Sequence, residues 1–130
     1  MVEYLSVEKV VELNVLAISM IAVKKGDQAK LLSKLKLQTV LETCKEHKGS
    51  LYEKAAFLLK EITQKHPFAS GNRRTAFLAM KFFLISNGQK FKIDDNPANA
   101  RILQGIRESY FSDFEIVEWI KNGKIREFRR

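Results

Sequence analysis

Apolar residues recur at helical spacing along most of the chain, and Pro and Gly rarely interrupt them, so the pattern predicts a mostly α protein. Ser6 caps a first helix, with Glu8 favoured by the helix dipole in its first turn. Val7, Val10, Val11, Leu13, Leu16, Ala17, Met20 and Ile21 give that helix a wide apolar face, and Lys24, Lys25 and Gly26 end it. A second segment starts near Asp27. Leu31, Leu32, Leu35, Val40, Leu41 and Cys44 fit one helical face, whereas the alternation of Leu35, Leu37 and Thr39 fits an extended stretch; periodicity does not decide between them.

Further along, Ser50 and Glu53 form a capping box ahead of Leu51, Ala55, Leu58, Leu59 and Ile62, in a helix that runs to about Lys65. Residues 66–72 carry a Pro and a Gly and read as a loop. From Arg73 to Asn87, apolar residues fall on nearly all sides, which predicts a central, buried helix stopped by Asn87-Gly88. Gln89 to Ile93 alternates like a short extended piece. Asn96-Pro97 starts a helix toward Ser109, and Ser112 with Glu115 caps a last one that Gly123 stops. No repeat, low-complexity tract or linker is visible, so residues 1–130 read as one domain of about six helices around a buried pair, 51–65 and 73–87.

Composition narrows the class. With 45% hydrophobic and 29% charged residues, the sequence is not that of a disordered chain, a collagen or a disulfide scaffold. Lys and Arg number 23 against 15 Asp and Glu, a net +8 that favours anionic partners or a Lys-rich solvated surface. Cys44 is the only cysteine, which excludes an intrachain disulfide and any multi-thiolate zinc site. Glu3, Glu8 and Glu12 stand where a signal peptide would carry positive charge, and Val15 to Val23 is too short an apolar run to span a bilayer. A cytoplasmic protein with no membrane partner is expected. His47 reads as a solvent-facing loop residue and Trp119 as part of a core face. Lys121 to Arg130 reads as a solvated basic tail rather than a nucleic-acid site, since only Phe128 interleaves its charges.

Candidate chemistry concentrates in the loop before the central helix. The first N–H groups of a helix opening at Gly71, Asn72, Arg73 and Arg74 lack intrahelical acceptors. With the dipole and two arginines they favour phosphate, and Gly71 lets it approach the backbone closely. His66, just upstream, has a side chain of near-neutral pKa suited to taking a proton from a hydroxyl. Phe68 is the expected anchor of the loop to the core.

The string His66-Pro67-Phe68-Ala69-Ser70-Gly71-Asn72-Arg73-Arg74-Thr75-Ala76 resembles the signature of the Fic/Doc (Fido) family, His-Pro-Phe-x-(Asp/Glu)-Gly-Asn-(Gly/Lys)-Arg. Its ending, and the first helix after Tyr4-Leu5-Ser6, resemble the Doc (death-on-curing) branch. The resemblance implies an all-α Fido fold, with a short β flap ahead of the motif that aligns a target segment by strand addition; Lys34 to Thr43 is the candidate flap. It implies a transferase that moves part of a nucleoside triphosphate, ATP or another, onto a protein Ser or Thr hydroxyl. Doc itself phosphorylates a threonine of a translation factor, elongation factor Tu. In that reading His66 is the general base, Asn72 and the amides of Gly71 to Arg74 hold phosphate with Arg73, and Arg74 neutralises developing charge.

Three departures shape the expectation. Ser70 stands where the family carries an acidic residue that helps bind Mg²⁺, and a hydroxyl is a poor substitute on a hard cation, so no metal ligand is assigned; Mg²⁺ would then arrive on the triphosphate alone or be held by another acid such as Asp94 or Asp95. Phe77 stands where nucleotidyl-transferring members carry a second arginine, and Arg73 resembles Doc's lysine; both favour phosphoryl over adenylyl transfer. No Glu is followed by Gly or Asn, so the family's self-inhibitory motif is not in this chain and a separate antitoxin-like protein is the expected control. The alternative reading is a module impaired at Ser70 that binds a nucleotide or a protein partner.

Overall fold

The helix pair on either side of residues 66–72 is the centre of the structure. The computed structural model describes residues 1–20 and 27–129. Its elements in order are α1 (Val7–Met20), α2 (Lys34–Glu46), α3 (Leu51–Lys65), α4 (Asn72–Ser86), α5 (Asn99–Arg107) and α6 (Asp113–Asn122). The architecture is all-α, and no strand forms among the described residues. α3 packs most extensively on α4 and also carries α2, α5 and α6, while α1 lies on α4. Ala55, Leu58, Leu59 and Ile62 of α3 and Ala76, Ala79, Met80 and Phe83 of α4 are buried in one continuous apolar cluster. α4 is not covered all round: Phe82 and Ile85 lie exposed on one edge.

Local signals account for most helix starts. In both capping boxes the hydroxyl accepts the third residue's N–H and the carboxylate accepts the cap's N–H: Ser50 with Glu53, and Ser112 with Glu115. Gly123 ends α6 in the left-handed region, at φ 73°. α1 buries Val10, Leu13, Asn14 and Ala17, a spacing close to 3.6 that leaves the expected face residues Leu16 and Met20 exposed. The stop expected at Lys24–Gly26 lies outside the described residues.

Four expectations are corrected. The second helix begins at Lys34, not Asp27, because the Ser33 hydroxyl accepts the Lys36 N–H and caps it there. Residues 34–43 are therefore helix and not a flap: Leu37, Val40 and Cys44 are buried at helical spacing, and Leu35 is 73% exposed. α5 starts at Asn99 rather than Pro97, since Asn96 accepts the Ala98 N–H in a turn ahead of it. Gln89 to Ile93 forms no strand; Ile93 is buried and Phe91 meets the edge of Phe77.

Lys121, Lys124, Arg126 and Arg129 of the basic tail are exposed to solvent, as expected, while an aromatic residue among them fastens it. Phe128 is 3% exposed beside Tyr110 and Phe111, and Arg126 pairs with Glu115 and stacks on Tyr110, so the tail is docked. The Arg126 hydrogen bond holds the Glu115 carboxyl down at about 2. Lys54, 6% exposed, donates to the Cys44, Lys45 and His47 carbonyls and so closes the C-terminal end of α2. His47 is half-buried, accepting the Gly49 N–H on Nδ1 with its ring 5.8 Å from that of Phe57. Trp119 is core, as expected. Burial pushes the Cys44 thiol up to about 11, which keeps it neutral. Among the described residues no helix is long and apolar enough to cross a membrane.

Candidate active site

A left-handed residue stands at each end of the α3–α4 turn. His66 ends α3 at φ 51°, a conformation that costs a non-glycine residue about 1 kcal/mol or more. Gly71 caps α4 at φ 73°, a left-handed conformation that favours glycine, and a Cβ there would lie 2.8 Å from the tip of the Ile18 side chain, which would have to shift. Between them Pro67 and Phe68 are buried, Phe68 to 1% exposure, which anchors the turn in the core as expected.

Asn72 closes this turn. Its Oδ1 accepts the Phe68 N–H at 3.0 Å and its Nδ2 donates to the Phe68 carbonyl at 2.8 Å, which fixes the amide orientation. The same Nδ2 lies 3.1 Å from His66 Nδ1. In the neutral ring Nδ1 therefore accepts and Nε2 carries the proton. The Asn72 amide, at 5% exposure, is thus spent inside the loop, and what it supports directly is the loop's shape.

Two neighbours brace the turn from outside. Asn14 of α1, 1% exposed, donates to the Ser70 carbonyl at 2.9 Å and to Thr75 Oγ1 at 3.0 Å. Sequence reasoning missed Asn14; its signal was a single polar residue inside the apolar face of α1. Residues 28–33 run beside the loop. The Leu32 and Ser33 N–H groups donate to the Pro67 carbonyl, the Ala69 N–H donates to the Lys30 carbonyl, and Leu31 forms an isolated antiparallel bridge with Phe68. Ser70 Oγ accepts the Gln28 N–H at 3.3 Å.

No side chain caps α4, and its first turn holds no acid. The first backbone bond runs from the Thr75 N–H to the Gly71 carbonyl, so the ladder provides no acceptor for the N–H groups of residues 72–74. Arg73 and Arg74 are exposed beside this end. Arg73 donates to Gln104 of α5, which in turn donates to Glu108. Gln64, in the last turn of α3, donates to the Ile106 carbonyl and Ser109 Oγ and holds the end of α5 close to His66. Lys36 reaches from α2 to the Lys65 carbonyl at 3.4 Å.

The His66 ring is largely exposed, yet burial of the remainder, then the charges of Arg107, Arg73 and Lys36, hold its pKa below the ordinary 6.5. Phe77 faces away from this chemistry, with its ring against those of Phe91 and Trp119. The donor set does not fit a protein-held Mg²⁺. Ser70 offers a hydroxyl already tied to Gln28, and no cluster of three or more His, Cys, Asp or Glu able to hold a metal occurs among the described residues, Asp94 and Asp95 included. Two shallow grooves beside α6, lined by residues such as Phe114, Glu118 and Lys124, contain none of the loop residues.

Asn14→Leu keeps the side-chain volume but strips the Ser70 carbonyl and the Thr75 hydroxyl of their donor. We expect a loss of about 1–3 kcal/mol in chemical denaturation, with amide exchange accelerated most over residues 69–75. Unchanged protection there would show that α1 does not brace the loop.

A search of the curated proteins finds no match to the chain. A family model described as the Fic/DOC family matches residues 4–84. That span takes in α1, α2, α3, the turn between α3 and α4 and all but the last two residues of α4, and it leaves out α5 and α6. Covering well over half of the chain, it shows that the protein belongs to the Fic/DOC family.

Proposed function

We propose that this chain is a Doc-like transferase that moves the γ-phosphoryl group of ATP, or another nucleoside triphosphate, to a Ser or Thr hydroxyl of a protein target such as a translation factor. The observation that carries the proposal is the placing of the His66 imidazole at the mouth of an uncapped helix N-terminus flanked by Arg73 and Arg74. The N–H groups of α4's first turn bind phosphate oxygens, and Arg74 balances the charge that gathers on them. The target hydroxyl oxygen attacks the γ-phosphorus. The bond from that phosphorus to the bridging oxygen breaks, the bridging oxygen leaves on the nucleoside diphosphate, and the hydroxyl proton passes to His66. To present a lone pair, His66 must be released from the Asn72 amide, so proton acceptance and the Asn72 contact are coupled.

Phe77 supports phosphoryl over adenylyl transfer, because the position that would supply a second phosphate-binding arginine is a partly buried aromatic residue packed against the core. The target segment lies alongside residues 30–33, whose inner edge is bonded to the loop and whose Leu31 backbone groups that pairing does not use. Control falls to a separate antitoxin-like protein. Ser70 favours the second reading, a module that binds nucleotide or partner without turnover, since its hydroxyl is used as a backbone anchor.

Mass spectrometry of a cell lysate incubated with the protein, ATP and Mg²⁺ decides between these readings. We expect a phosphoryl adduct on a Ser or Thr that His66→Ala abolishes. An adenylyl adduct would overturn the assignment of the transferred group, and no adduct with ATP still bound would favour the non-catalytic module.

The pH dependence follows from the surroundings of His66. Burial, and then the charges of Arg107, Arg73 and Lys36, favour neutral imidazole, so the acid limb of the rate profile is expected below the ordinary 6.5. Arg73→Gln removes one of those charges, raises the His66 pKa and moves that limb to higher pH. A limb that stays in place would separate Arg73 from the proton transfer.

A further inference from the structure

Binding a triphosphate in this family-type loop raises a charge problem that the donor set leaves open, because the position expected to recruit a cation is Ser70. The structure offers positive charge from another source. Arg73 and Arg74 stand on α4, Lys36 on α2 and Arg107 on α5. Arg107 lies beyond the residues that the family model matches.

Contacts place these groups together. Lys36 Nζ sits 3.4 Å from the carbonyl of Lys65, the residue before His66. Arg73 touches Gln104, and Arg107 is three residues further along α5, on the same helical face. Gln64 pins the end of α5 to the last turn of α3, two residues before His66. The charges of Arg107, Arg73 and Lys36 all bear on the His66 ring.

These cations outnumber the carboxylates beside them. The ion pairs among the described residues involve Lys9, Lys60, Arg126 and Arg129, and none involves Lys36, Arg73, Arg74 or Arg107. The partner that Arg73 does have, the Gln104 amide oxygen, is neutral, and the partner of Lys36 is a backbone carbonyl. Four like charges gathered from three helices, with one carboxylate, Glu108, reached through Gln104, leave a net positive region that an anion relieves.

We infer that Lys36, Arg73, Arg74 and Arg107 carry the phosphate charge that a protein-held Mg²⁺ would otherwise balance, so this site binds a nucleoside triphosphate without a metal. The inference rests on the transferase reading for its ligand. It adds α5 to the site and makes Arg107 a binding residue.

Calorimetric titration of the full chain with ATP, in excess EDTA and in Mg²⁺, tests it. Wild-type affinity is expected to agree between the two buffers to within about threefold. Arg107→Ala, an exposed position whose folding is checked by its thermal melt, is expected to weaken ATP binding in EDTA by roughly tenfold, and ADP binding less. Ser70→Asp is expected to weaken binding in EDTA and to recover it with Mg²⁺. ATP binding that requires Mg²⁺ in the wild type overturns the inference and leaves the transferase reading standing. Equal affinity of wild type and Arg107→Ala in EDTA removes α5 from the site. No ATP binding in either buffer overturns both readings.

Discussion

One side-chain amide holds the candidate site in shape. Asn72 accepts from and donates to the backbone of Phe68 and reaches His66 Nδ1 with the same nitrogen. This contact joins the end of α3 to the start of α4 across a turn whose two ends are both left-handed. A left-handed histidine is unfavourable by itself, and it persists because the turn is over-determined. Phe68 is sunk in the core, Asn14 grips the Ser70 carbonyl, and residues 28–33 bond along the outer edge. The helix pair thus does more than form the core. Its junction brings an exposed imidazole ring, a run of backbone N–H groups without helical acceptors and two exposed arginines together.

How much of this the sequence discloses depends on the range of the interaction. Ser50 with Glu53 and Ser112 with Glu115 are readable because a capping box is complete within four residues. The 66–74 loop is readable because its histidine, glycine, asparagine and arginine are contiguous. The stretch from Leu35 to Thr39 is ambiguous as a string, since its apolar residues satisfy two periods. Burial of Leu37, Val40 and Cys44, with Leu35 left in solvent, settles it, and burial is a tertiary property. Asn14 looks like a flaw in an amphipathic helix until Ser70 and Thr75, distant in sequence, arrive beside it. Phe128 and Arg126 resemble a loose basic tail for the same reason, because Phe111 and Glu115 are what dock them.

The bounds of the family match and those of the cationic region around the loop differ. Residues 4–84 contain the loop and the helices that shape it, and they carry the family match. α5 lies outside that span, yet it contacts Arg73 through Gln104 and brings Arg107 to bear on His66. Ser70 has exchanged an expected acid for a hydroxyl that fastens Gln28, which removes negative charge from a region already rich in cations. The His66 pKa is lowered by burial first and then by the charges of Arg107, Arg73 and Lys36.

The most direct measurement is an amide correlation spectrum of the full chain labelled with nitrogen-15 and titrated with ATP. If the loop is a phosphate site, the largest shifts fall on the backbone amides of Gly71, Asn72, Arg73 and Arg74, with smaller ones at Gln104 and Arg107. Shifts confined to the groove beside α6, at Phe114, Lys124 and Arg126, would contradict the assignment of the site, as would a spectrum that ATP leaves unchanged.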